Sequence, residues 1–335
     1  MPHKESAKIL ANDLSVELRK SFSHKLCLAP RLMKPNCSGT IVAAHSLQRN
    51  GCGLNAIADQ GHVLTPKPNR EGSADMVKIG VGKASTFTEF CAFHNPRIFA
   101  PLETSRLIPT PEQIFFQTYR AFCFELFSKI AAHDHAQKLR ERDLLGRRHV
   151  EAYSMGTVLG LRGLNDYKLV FDTMLTTSNI EKLRFVVYHL DRPPPPQCTA
   201  WLSINYGFQG QILQNISDVT TTLHGTMFSI LPAVDGGFAI FAWINDHPVA
   251  TRLKRSLTKI PIDELPEHLL HFAFEYAGNV FCKPSWWESL TLTQQDSLSR
   301  HFLSGTTRRA PRSRAWLVLQ PRIALDWRVT KITSV

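Results

Sequence analysis

Four apolar runs between residues 184 and 245 constrain the fold most: "RFVVYHL", "TAWLSINY", "GTMFSIL" and "GFAIFAWIN". Each is rich in β-branched and aromatic residues and too short for a helix of ordinary length. Each is also bounded by turn chemistry, at Pro193 to Pro196 and at Asp235-Gly236-Gly237. Strands in close succession with tight turns favour an antiparallel sheet. Ahead of them, "TPEQIFFQTYRAFCFELFSKIAAHDHAQKL" opens as a helix should. Thr110 stands at the N-cap, Pro111 at the first helical position and Glu112 in the first turn. Ile114, Phe115, Tyr119, Phe122, Phe127 and Ile130 occupy much of its circumference, which predicts a core helix. After the sheet, "LPEHLLHFAFEYAG" predicts a helix with Gly278 as C-cap, and "PSWWESL" a further helical turn. Residues 5 to 20 read as an amphipathic helix, and residues 27 to 103 as short strands and loops rich in Pro and Gly. The expected class is therefore α+β. Its expected parts are a small N-terminal module over 1–105, a helical region over 106–183, and an α+β domain with an antiparallel sheet over 184–335.

The chain has 335 residues, 43% of them apolar, with 20 Phe and 6 Trp, which is ample for a sizeable core and excludes wholesale disorder. Lys and Arg number 39 against 28 Asp and Glu, a net charge of +11. Such a balance favours a polyanionic partner, nucleic acid before a membrane surface. The N-terminus has no apolar signal core, and no stretch of 18 apolar residues lacks a charge. Both point to a cytoplasmic protein without a membrane partner.

Seven cysteines, an odd number at wide spacings, argue against a disulfide framework and for buried thiols or metal ligands. "CLAPRLMKPNC" sets Cys27 and Cys37 ten apart across a Pro-containing loop, and "FCAFHN" sets Cys91 and His94 three apart. Two such pairs can supply the four soft or borderline ligands of a tetrahedral Zn²⁺. The three-residue gap fits one turn of helix, with Ser85 as its N-cap. Cys52, Cys123, Cys198 and Cys282 have no ligand-like neighbours and read as core thiols. A histidine, His45, closes the strand-like "TIVAAH" that follows Cys37.

This arrangement resembles the HNH, or ββα-metal, nucleases: Cys37 leads into a first strand ending in His45, and Cys91, His94 and Asn95 form a second knuckle. It also resembles a group of uncharacterised bacterial proteins, in "CSGTIVAAHSLQ", "GHV" and "KASTFTEFCAFHNPRIFAPLE". The likeness covers about residues 27 to 103. It implies a structural Zn²⁺ on Cys27, Cys37, Cys91 and His94, and His45 as general base. It further implies a catalytic Mg²⁺ or Mn²⁺ with His62 among its ligands, and a place in bacterial defence against foreign DNA. Asp59, Asp75 and Glu103 are the other groups available to such an ion. Ala44 stands where many members of the family carry Asp or His. Arg49, Lys67, Arg70, Lys78, Lys83 and Arg97 crowd the same module and suit phosphate neutralisation, with DNA the favoured partner. The alternative is a non-catalytic, zinc-stabilised module that binds nucleic acid or protein. Trp286 and Trp287 suit either base stacking or packing against the neighbouring helix.

Overall fold

The strand runs after residue 183 become the centre of an antiparallel sheet in the computed structural model. It describes residues 25–48, 53–69, 71–142, 147–218, 220–306, 317 and 323–335. The helix expected over residues 5 to 20 lies outside these, as do Arg49, Cys52 and Arg70. The architecture is mixed α+β, with a small N-terminal strand region and a larger remainder. The described residues separate into two compact units whose segments interleave along the chain. One unit holds the residues up to Ala44, Phe87–Arg97 and Cys123–Asn179; the other holds His45–Thr86, Ile98–Phe122 and Ile180–Val335.

The first unit contains most of β1 (Ile41–His45) and of β4 (Thr86–Cys91), which pair as a two-stranded sheet, and the short helix α1 (His94–Ile98). It also holds the second half of α3 (Pro111–Arg142) and α4 (Arg147–Thr177). The predicted cap of α3 is present: Thr110 Oγ1 accepts from the Gln113 N–H at 3.2 Å. An added Cβ at Gly160 of α4 would come within 3.1 Å of the Lys129 side chain of α3, so this glycine lets the two helices approach.

The second unit is built on an eight-stranded antiparallel sheet. Its strands are β2 (His62–Pro68), β3 (Ala74–Gly80), β5 (Leu183–Leu190), β6 (Pro196–Leu202), β7 (Thr226–Ala233), β8 (Gly236–Ile244), β9 (Phe281–Cys282) and β10 (Val329–Ser334). They are ordered β10-β5-β8-β7-β6-β9-β2-β3. β7 and β8 are buried along nearly their whole length, which is why they read as continuous rather than alternating apolar runs. Helices α2 (Ala100–Glu103) and α5 (Pro248–Leu257) also belong to this unit, and helix α6 (Leu265–Tyr276) lays Phe272 against Phe228 and Phe241, with ring centroids 4.9 and 5.3 Å away. Truncating such a ring to Ala costs about 3–5 kcal/mol.

The β7–β8 turn needs its glycine. Gly236 has φ +150°, and a Cβ there would stand 2.2 Å from the Leu190 carbonyl of β5. At the end of α6 the expectation of a glycine cap is corrected. Ala277 is the cap, in extended conformation, and Gly278 has no left-handed φ, because the chain leaves directly towards β9. The N-terminal β2–β3 hairpin joins the C-terminal strands through β9, where Leu64 pairs with Cys282 and Cys282 with Pro196. "PSWWES" is the expected helical turn, α7 (Pro284–Ser289). Its Trp287 is buried and stacks on Phe274 at 6.1 Å, the packing alternative for this residue. Cys123, Cys198 and Cys282 are all fully enclosed core thiols.

Candidate metal centre

Residues 26 to 28 run extended beside β4, tied by Leu28 N–H to Glu89 O at 2.8 Å, and this places Cys27 next to the end of that strand. A 3₁₀ turn, Arg31–Asn36, with Pro30 ahead of it and Pro35 inside it, then reverses the chain. The Cys37 N–H closes the turn on Lys34 O at 2.9 Å, and the Lys34 ammonium returns to the Cys27 carbonyl. Gly39 takes φ +74°, the left-handed step that turns the "CSG" segment into β1. The Ala92 N–H, donating to Thr40 O at 2.8 Å, holds the start of β1 against the end of β4.

The four predicted ligands converge. Their donor atoms all lie within 4.8 Å of one another. His94 Nδ1 stands 3.2 Å from Cys91 Sγ, 3.4 Å from Cys27 Sγ and 3.6 Å from Cys37 Sγ. A tetrahedral Zn²⁺ with S at about 2.3 Å and N at about 2.05 Å requires S···N separations of about 3.6 Å. The observed values sit at or slightly inside that spacing, so the cluster fits zinc with little adjustment. Cys27, Cys91 and His94 are buried and Cys37 is half-buried, so the site has a single partly open side.

One part of the local expectation is corrected. Cys91 and His94 do not share a helical turn: Cys91 ends strand β4, residues 92 and 93 turn, and His94 is the first residue of α1. Ser85 is correspondingly not a helix cap. It lies at φ +58° and its Oγ accepts the Leu47 N–H at 2.8 Å. A strand-to-helix turn serves the metal better, because the N–H groups it frees point at the sulfur. Burial pushes the Cys91 thiol up, but hydrogen bonds from the backbones of His94, Ser38 and Phe93 outweigh it and bring it down to about 5. Burial, then the neighbouring Cys27 and Cys91, push the Cys37 thiol up to about 11. Three adjacent thiols cannot all ionise unaided, and a divalent cation among them removes that repulsion. Ser38 and Phe93 are the supporting residues that spacing alone did not reveal. Their signal is positional, since each adjoins a ligand or lies within the C-x-x-H turn.

The remaining predicted residues do not gather here. His45 closes β1 and is partly buried. His62 is exposed at the start of β2, its Nδ1 2.8 Å from Gln60 O. Asp59 accepts the Ser285 N–H at the start of α7 at 2.7 Å and lies 3.9 Å from Lys283; the Ser285 hydrogen bonds hold its carboxyl below the usual range. Asp75 accepts from Asn69 at 2.9 Å, and Glu103 pairs at 2.6 Å with Arg120, whose side chain is buried. Among the described residues, Cys27, Cys37, Cys91 and His94 are the one group of three or more His, Cys, Asp or Glu close enough to share an ion. Lys67, Lys78 and Lys83 are exposed. Arg97 is exposed too but folds back, its guanidinium 3.7 Å from the centroid of the Phe93 ring and bonded to the Phe93 carbonyl at 3.1 Å.

The chain matches no family model, no curated protein and no solved structure. The chemistry of the donor set carries the assignment by itself: a Cys₃His cluster that could hold a metal such as zinc. Among the described residues, no helix is long and apolar enough to cross a membrane.

Proposed function

We propose that the chain is a nuclease of HNH-like type that hydrolyses nucleic-acid phosphodiesters, DNA first, with a zinc-pinned strand carrying His45 as general base. The observation behind this reading is the order of the parts. Two ligands precede β1, His45 closes β1, and two ligands mark the junction of β4 and α1. This is the order of elements in the family that the segment resembles. The net charge of +11 supports a polyanionic substrate.

In this reading the neutral His45 imidazole takes a proton from water as its oxygen attacks phosphorus and the bond to the leaving oxygen breaks. A positioned base contributes about 10²–10⁴ to such a rate. Cys27, Cys37, Cys91 and His94 would fill all four positions of a Zn²⁺, so an ion held there would supply rigidity rather than chemistry. For a catalytic Mg²⁺ or Mn²⁺ the fit is poor, because Asp59, Asp75 and Glu103 are each engaged with other partners. That engagement favours a second reading, a zinc-stabilised module that binds nucleic acid or protein without cutting it.

The test is cleavage of single- and double-stranded DNA and RNA by wild type and His45→Ala, with and without Mg²⁺ or Mn²⁺. The nuclease reading requires wild-type cleavage that His45→Ala removes while zinc content, Tm and nucleic-acid affinity hold. Nucleic-acid binding without cleavage supports the second reading. Loss of zinc from His45→Ala makes His45 a ligand and overturns its role as base.

A further inference from the structure

Helix α4 carries two stripes with the same four-three spacing. The inner one, Val150, Ser154, Thr157, Leu161 and Leu164, is buried apart from the half-buried Leu161. It faces α3, with Thr157 Oγ1 3.2 Å from His133 Nδ1. One residue further on, about 100° around the helix, runs the second stripe: Glu151, Met155, Val158, Arg162, Asn165 and Leu169. All six are exposed, Met155 at 59%, Val158 at 45% and Leu169 at 70%. A heptad-like seam of about 27 Å on which three large apolar side chains stand in water is the pattern of a helix that packs on another helix.

We propose that this stripe is a homodimer interface, in which α4 of two copies of the chain cross antiparallel about a two-fold axis between Gly156 and Thr157. The charge order selects the occupant and the direction. About that axis Glu151 falls opposite Arg162 of the second copy and Met155 opposite its Val158, and symmetry repeats both pairs. In a parallel pair Glu151 would meet Glu151 and Arg162 would meet Arg162, both repulsive.

Sedimentation equilibrium of the full chain with zinc present tests this. Wild type is expected to dimerise reversibly. Arg162→Glu sets two like-charge pairs across the seam and raises the dissociation constant on the order of tenfold or more. Glu151→Arg does the same, and the combined Glu151→Arg/Arg162→Glu variant recovers wild-type association, because exchanging the charges rebuilds both pairs. Circular dichroism verifies that each variant keeps its helix, and the recovery in the double variant separates interface loss from misfolding. A wild type that stays monomeric up to roughly 100 μM overturns the proposal. So does a double variant no better than the single ones, and so does a monomer that uses this face for an unrelated protein.

Discussion

Replacing Cys91 by Ser separates a metal centre from four side chains that happen to meet. Cys91 has no exposed surface, and its sulfur receives backbone hydrogen bonds from the strand-to-helix turn. A serine oxygen can still accept those bonds, so without a metal the substitution should cost about 1 kcal/mol or less. With zinc the outcome differs, because a hydroxyl is a poor replacement for a thiolate ligand. Stabilisation by a ligand that binds only the folded state is RT ln(1 + [Zn]/Kd), about 4 kcal/mol when free zinc is 1,000-fold above Kd. At roughly 3–4 °C per kcal/mol for a domain of about 100–150 residues, the expected loss is about 12–16 °C in Tm. The assay is calorimetry of wild type, Cys37→Ser, Cys91→Ser and the double variant, each with and without chelator, beside zinc determination on the purified protein. Wild type should carry about one zinc per chain. The two substitutions should be non-additive, since either one forfeits the same ion. Wild type with negligible zinc and a Tm indifferent to chelator, or two substitutions that simply add, would refute the reasoning.

The other predictions concern the sheet domain and the charge. Burial, with His224 and Arg252 adding to it, holds His247 down to about 4, against 6.5 for an ordinary histidine. The unfolded chain takes up this proton near pH 6.5 and the folded chain only near pH 4, so stability should fall by about 2–3 kcal/mol as the pH drops through that interval and level off below it. His247→Asn keeps a good N-cap for the helix Pro248–Leu257, where His247 Nδ1 accepts the Ala250 N–H, and should flatten the slope in denaturant titrations at several pH values. Gly236→Ala forces a Cβ against the Leu190 carbonyl at an unfavourable φ and should destabilise by about 3 kcal/mol or abolish folding; a change below 1 kcal/mol by urea unfolding would contradict the turn geometry. If Lys67 and Lys83 neutralise phosphates, replacing both with Ala should weaken binding about equally across sequences and reduce the log–log salt slope by roughly one for each phosphate left without its lysine, as measured by fluorescence anisotropy.

Local chemistry made much of this protein legible before any tertiary contact was known. Thr110-Pro111 announces the start of α3 because a capping hydroxyl and a fixed φ act within one turn of chain. The apolar runs from 184 to 245 announce strands because both faces of β7 and β8 are covered. The ligands Cys27, Cys37, Cys91 and His94 could be named because few other uses bring thiols and an imidazole into paired knuckles. Local spacing stopped short where two geometries share it. A gap of three between Cys91 and His94 suits a helical turn and a strand-to-helix turn equally, and only the pairing of β4 with β1 decides for the second. Long-range partners were likewise unreadable. That Asp59 caps the turn at Ser285 and that Leu64 of an N-terminal hairpin pairs with Cys282 are choices made by packing among segments far apart in sequence. Side-chain period and capping residues act over a few positions, whereas register and hydrogen bonding across more than 200 residues depend on which surfaces the core brings together.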